Sequence, residues 1–98
     1  MKIFISQPMG GFSDTEINIK RTIVISKIKS KYGEDVEILD TNFDFPGKNA
    51  LYYLAKSIEA LSTADLAYFV DGWQNHRGCR LERECCKEYN IPIEDEFN

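Results

Sequence analysis

The feature that most constrains this chain is a regular alternation. Short runs of β-branched and aromatic residues are separated, three times, by longer stretches with helical character. Lys2–Ile5, Val36–Leu39, Asp65–Val70 and Ile91–Ile93 read as strands. Ser13-Asp14-Thr15-Glu16 reads as a capping box, in which a hydroxyl and a carboxylate three residues apart satisfy the first free amides of a helix. That helix is expected to run to about Tyr32, with Gly33 as a left-handed stop. Two more helices are expected over Ala50–Leu61 and from Gly78 to about Tyr89. Strands alternating with helices imply βαβ units, a parallel sheet and right-handed crossovers. Asp65–Val70 is strongly apolar, as a strand covered on both faces must be.

The expected architecture is therefore α/β. One domain spans residues 1–98, built as three layers around a short, mostly parallel sheet of about four strands, flavodoxin- or Rossmann-like, with helices on both faces. A chain of 98 residues buries only about 60–70% of its unfolded surface, so its core is thin. Twelve Lys and Arg against 16 Asp and Glu leave a net charge of −4. That argues against polymeric nucleic acid or an anionic membrane as a partner, although a local pocket for one phosphate stays open. The longest apolar run, Leu66–Val70, is far short of the roughly 20 residues of a spanning helix. Met1-Lys2 leads directly into Ile3-Phe4-Ile5 and polar Ser6-Gln7 without a signal-peptide core, so the expected compartment is the cytoplasm.

The three cysteines, Cys79, Cys85 and Cys86, are odd in number and do not make a disulfide framework. His76 precedes Cys79 by three residues, which imitates metal-ligand spacing. The cysteines fall on different sides of one helix, however, and no second ligand pair exists elsewhere. They read as small buried thiols, and neither metal nor cofactor is expected.

In parallel sheets, ligands collect beyond the carboxyl ends of the strands. This rule nominates three loops: Ser6 to Gly11, Asp40-Thr41-Asn42, and Asp71-Gly72-Trp73-Gln74. Gly10-Gly11 follows a strand and precedes a helix but lacks the spaced-glycine dinucleotide fingerprint, so it reads as close backbone approach to a small ligand. Trp73 suits either stacking on a base or sugar, or covering its own loop. Asp65 reads as a turn or cap partner, and Tyr52-Tyr53 as packing or a partner surface.

Two charges fall on inward faces. At roughly 100° per residue, Ile17, Val24, Ile25, Ile28 and Tyr32 form the buried arc of the first helix, and Arg21 lies inside it. It either snorkels and pairs with a structural carboxylate, or reaches a phosphate or site carboxylate. On the third helix, with Leu81 at zero, Cys85, Tyr89 and Cys86 lie near about 40°, 80° and 140°, and Glu82 near about 100°. Glu84 and Glu88 point away. An inward carboxylate near a helix start is expected to stay ionised, as a nucleophile must. The structural alternative is a helix-dipole glutamate paired with Arg77 or Arg80.

Ile5-Ser6-Gln7-Pro8-Met9-Gly10, Arg21, Ala64-Asp65-Leu66-Ala67-Tyr68-Phe69, Gly72-Trp73 and Arg77-Gly78-Cys79-Arg80-Leu81-Glu82 together resemble the small nucleoside 2-deoxyribosyltransferase-like proteins over nearly the whole chain. The resemblance implies cleavage or exchange of the N-glycosidic bond of a deoxynucleoside or its monophosphate. Glu82, four residues after Gly78, would attack the anomeric carbon, and water or a second base would resolve the covalent intermediate. Asp71 or Asp40 would assist the leaving base. Ser6, Gln7 and the Gly10-Gly11 backbone would hold sugar or phosphate, with Arg21 and Trp73 as further contacts. Glu84 and Cys86 stand where related motifs carry small residues. Full-size relatives are longer and borrow site residues across subunits, and a homodimer or higher homo-oligomer is expected here. Transfer, hydrolysis and non-catalytic binding of a nucleoside or nucleotide all stay open.

Overall fold

A computed structural model describes residues 1–41 and 46–97. The elements run β1 (Lys2–Ser6), α1 (Asp14–Tyr32), β2 (Glu37–Ile38), α2 (Ala50–Leu61), β3 (Leu66–Phe69), a 3-10 turn (Trp73–Asn75), α3 (Arg77–Glu88) and β4 (Ile93–Asp95). The four strands lie in the order β2-β1-β3-β4, and all three pairings are parallel. This is a small three-layer α/β fold. Chain order reverses between β1 and β3, which makes their carboxyl ends the switch point.

Strand parity distributes the core. Ile3 and Ile5 of β1 point to the same side as Leu66, Tyr68 and Val70, where Val24 and Ile28 of α1 cover them. Phe4 points to the other side with Ala67 and Phe69, where Leu61 of α2 and Cys86 of α3 close the layer. Ser6, two residues beyond Phe4, therefore opens toward α2 and α3. Each large apolar side chain in these layers contributes roughly 1.5–3 kcal/mol of burial free energy.

Local signals set most boundaries. The capping box forms: Ser13 Oγ accepts from the Glu16 amide at 3.1 Å, and Glu16 accepts from the Ser13 amide at 2.9 Å. Asn49 caps α2 by accepting from the Tyr52 amide at 2.9 Å. Asp65 is a turn partner, accepting from the Lys2 amide at 2.7 Å.

Other expectations need correction. Gly33 ends α1 at φ 104° and ψ 162°, an extended glycine conformation rather than the left-handed helical one. The second strand is only two residues long, and the last is displaced from Ile91–Ile93 to Ile93–Asp95. Asn90 turns with φ 60°, and the Ile91 amide is spent on the carbonyl of Cys86 at 2.9 Å. Pro92 has no amide to give, so pairing starts after it.

On α3 the inward arc is centred differently from expectation. Leu81 is 43% exposed and Tyr89 79% exposed, whereas Cys79, Glu82 and Cys86 are buried. On the same wheel these three span about 100° to 160°, so Glu82 keeps its inward place while Leu81 lies at the exposed edge of the arc. On α1, Val24 and Ile28 are fully buried, with Ile17, Ile25 and Tyr32 half-buried. Among the described residues no helix is long and apolar enough to cross a membrane.

Candidate functional site

Glu82 sits one and a half turns into α3 and is 8% exposed, facing the tip of β1. The Ser6 hydroxyl donates to its Oε1 at 2.6 Å. Parity delivers Ser6 to this side of the sheet, and the α3 wheel delivers Glu82 to meet it. Burial pushes the carboxyl up to about 7, while the hydroxyls of Ser6 and of Ser57 on α2 pull it back. The expectation of a fully ionised side chain is thus corrected. Helix α3 begins at Arg77, so Glu82 lies beyond the first turn, where the free amides and the positive helix end act most strongly. Neither Arg77 nor Arg80 pairs with it: Arg80 donates to the Gln74 carbonyl at 2.9 Å, and Arg77 makes no ion pair among the described residues.

The carboxylate opens into a cleft of about 420 Å³. Gln7 to Gly10 form one wall, Tyr53, Leu54 and Ser57 of α2 a second, and His76 to Cys79 a third, with buried Thr41 at the end of the β2 side. Glu82 is the one carboxylate among its described lining residues. Cys79 is 5% exposed, and burial pushes its thiol up to about 11, so it stays protonated near neutrality. No three His, Cys, Asp or Glu side chains converge on a metal-sized space among the described residues.

The three nominated loops do not all meet here. The first lines the cleft through Gln7, Pro8, Met9 and Gly10, and the second through Thr41, while Asn42 lies outside the described residues. Gly11, at φ 87°, sits in the turn before α1 and lines neither cleft. Asp71 turns to a separate cleft of about 290 Å³ on the α1 side, shared with Phe12, Glu16, Ile17 and Lys20. Val70, just past β3, belongs to the α1 face, so alternation alone would carry Asp71 to the other side. Instead the chain leaves the strand in a turn at Asp71, whose amide donates to Glu96 at 3.0 Å, and Asp71 stays on the α1 side. Asp40 is exposed at the end of β2 and lines neither cleft.

Trp73 also lies elsewhere. Its ring meets Phe69 edge-on at 5.9 Å and carries the Arg83 guanidinium at 4.1 Å, so it covers the end of β3. Arg21 donates to the Leu39 carbonyl at 3.3 Å. Burial lowers its pKa, and nearby Asp40 raises it. One of its terminal nitrogens is buried without a hydrogen-bond partner. Arg21 thus braces the carboxyl end of β2 and lines neither cleft. Gln7 stands in the wall of both clefts and ties β1 to α1 through the Ile17 carbonyl at 2.9 Å. Gly78 lines the Glu82 cleft from the first turn of α3.

The α2 wall and His76 were missed as site residues. Ser57 lies one turn after Tyr53 and one turn before Leu61 on α2, the helical spacing that puts it on the face turned to the sheet, and that was the available signal. His76 carries no sequence signal beyond its metal-like spacing to Cys79. No family model, curated protein or solved structure matches the chain, so the function must be argued from these residues and their geometry.

Proposed function

We propose that the protein cleaves or exchanges the N-glycosidic bond of a deoxynucleoside or deoxynucleoside monophosphate, with Glu82 as the nucleophile. The observation that carries this reading is a buried carboxylate, the one carboxylate of the described lining, held by a serine hydroxyl at the floor of a cleft beyond the carboxyl end of a parallel strand. The volume of about 420 Å³ falls within the roughly 300–1,000 Å³ of small-molecule sites. The resemblance to nucleoside 2-deoxyribosyltransferase-like proteins supplies the chemistry at that floor. In its ionised form the carboxylate attacks the anomeric carbon as the base departs, and water or a second base then displaces the ester. A group with its pKa near 7 is about half ionised at neutral pH, and burial makes the ionised half a stronger nucleophile than an exposed glutamate.

The test is incubation with a panel of deoxynucleosides and their 5′-monophosphates, with chromatography for free base. The expected result is release by the wild type and none by Glu82→Gln, with both proteins folded by circular dichroism. Release that persists in Glu82→Gln overturns the assignment.

A second reading, a nucleotide-binding module without turnover, is favoured by the absence of a second carboxylate from the described lining of the cleft. It requires tight binding of a nucleotide with no base released, unaffected by Glu82→Gln. A homo-oligomer and a cytoplasmic setting belong to the same proposal, and sedimentation measures the first.

A further inference from the structure

With Asp71 and Asp40 outside the Glu82 cleft, the leaving base lacks the acid assigned to it. We propose that His76 is the catalytic proton donor to the departing base, an inference that rests on the glycosidic reading of Glu82.

His76 occupies the position that caps α3, where Ser, Thr, Asp or Asn would serve best, yet its side chain makes no capping hydrogen bond. Its main chain is fixed at both ends: the amide donates to the Trp73 carbonyl at 3.2 Å, and its carbonyl accepts from the Arg80 amide at 3.0 Å. The ring stacks on Phe12 with centroids 6.3 Å apart and planes at 28°. One ring edge lies against Gly10, whose Cβ position would be 3.7 Å from Nδ1. Neither ring nitrogen takes part in a hydrogen bond with the described residues. The imidazole is therefore positioned by stacking and by its backbone, with its proton-carrying atoms uncommitted, on the wall of the cleft that Glu82 floors.

The alternatives in the described lining are poorer. The Cys79 thiol holds its proton too tightly, with its pKa pushed up to about 11, and a guanidinium such as that of Arg77 does not release one. Imidazole is the side chain suited to giving and retaking a proton near neutrality.

Spacing agrees with the chemistry. His76, the extended cap residue, stands six positions before Glu82, which along the axis of α3 is a rise of about 9 Å. When a glycosidic oxygen itself is protonated, nucleophile and acid stand only about 5–5.5 Å apart. A nucleobase takes its proton on a ring nitrogen remote from the bond that breaks, so a wider separation is needed. In the first step a carboxylate oxygen of Glu82 bonds to the anomeric carbon. The carbon–nitrogen bond breaks with its electron pair passing to the base, and the imidazolium N–H gives its proton to the base. In the second step water attacks the same carbon, the ester bond breaks back to the Glu82 carboxylate, and the imidazole takes the proton that water loses.

The experiment compares wild type, Glu82→Gln, His76→Gln and His76→Asn on the panel above and on 4-nitrophenyl 2-deoxyriboside, whose phenolate leaves without a proton. His76→Asn places a strong helix-capping residue at the site, which guards against a folding defect. The expected result is a loss of about 10²–10⁴-fold for both His76 variants on the nucleobases, shrinking to less than about threefold on the nitrophenyl substrate. Glu82→Gln loses both activities. A His76 loss that is uniform across leaving groups, or no loss on nucleobases, overturns the role of His76 and leaves that of Glu82 standing. If the wild type cleaves no substrate, the glycosidic reading itself fails, and the role of His76 with it.

Discussion

The Ser6 hydroxyl donates to Glu82 Oε1 at 2.6 Å across a separation of 76 residues. This bond joins the tip of β1 to the inward face of α3, and it favours the ionised carboxylate that burial opposes. Removing it in Ser6→Ala is expected to move the Glu82 titration further above about 7. The rising limb of base release moves to higher pH with it, while the rate on the alkaline plateau changes less. A pH profile of the variant against wild type, or a carboxyl NMR titration, checks this. An unshifted midpoint would show that the hydroxyl contributes nothing to the ionised state.

Glu82 should also weaken the fold that holds it. Its pKa rises from 4.5 to about 7 on folding, so between those values the native state keeps a proton that the unfolded chain has released. Stability accordingly falls as pH rises through that window and is flat above it. At about 1.4 kcal/mol per unit, the cost at pH 8 is about 3 kcal/mol. Glu82→Gln keeps the shape of the side chain and an acceptor for Ser6, and is expected to be more stable than wild type by up to about 3 kcal/mol at pH 8. Near pH 4.5 the advantage disappears. Urea unfolding at the two pH values measures it, and an equal gain at both would show that charge burial is not the cause.

Much of the fold is legible along the chain because local signals and hydrophobic period agree. The capping box of Ser13 and Glu16, the apolar run into Val70 and the alternation of elements each point to the same parallel sheet. Strand β4 lies two residues beyond the expected Ile91–Ile93 and ends on Glu94 and Asp95, followed by Glu96, carboxylates that no local pattern marks as strand. Their partners lie far off in sequence: the Tyr32 hydroxyl for Glu94, Arg83 at 2.6 Å for Asp95, and two lysines for Glu96. Of the site, Glu82 is legible from the helical wheel, Ser6, Gln7 and Gly10 from the rule that ligands collect at strand carboxyl ends, and Gly78 from the resemblance. Asp71 and Trp73 join them because a strand end looks equally functional on either face, and Arg21 because its inward place on the α1 wheel does not say which end of the sheet it reaches. Which cleft a loop residue serves depends on the turn that follows the strand: alternation from Val70 would carry Asp71 to the other face, and the turn beginning at Asp71 keeps it on the α1 side.

The cysteines make the α3 wheel testable. Cys79 is 5% exposed and Cys86 fully buried, and burial pushes both thiols up to about 11. Cys85, one position along the helix, is only half-buried. A maleimide should modify Cys85 first in the native protein, with Cys79 and Cys86 reacting only as the chain opens. Mass spectrometry of the modified peptides over time gives the order. Fast modification of Cys79 would mean that the Glu82 floor is open to solvent.

The last strand packs Ile93 against the core and is followed at once by a carboxylate that ties it to α1. The Glu96 side chain is fully buried, yet it accepts from Lys27 at 2.7 Å, Lys20 at 2.9 Å and the Asp71 amide at 3.0 Å. Burial raises its pKa, but the two lysines and the amide outweigh that and hold it below the ordinary value. A lowered pKa adds stability that is present at neutral pH and is lost as pH falls through the carboxylate range. Glu96→Gln is therefore expected to cost about 1–3 kcal/mol at pH 7, with the deficit narrowing as wild type is titrated toward pH 3.5. Lys27→Met removes one of the two cationic donors and should cost less than Glu96→Gln. Urea unfolding of the three proteins at both pH values measures these differences. A deficit independent of pH would mean that Glu96 acts through packing rather than through its charge.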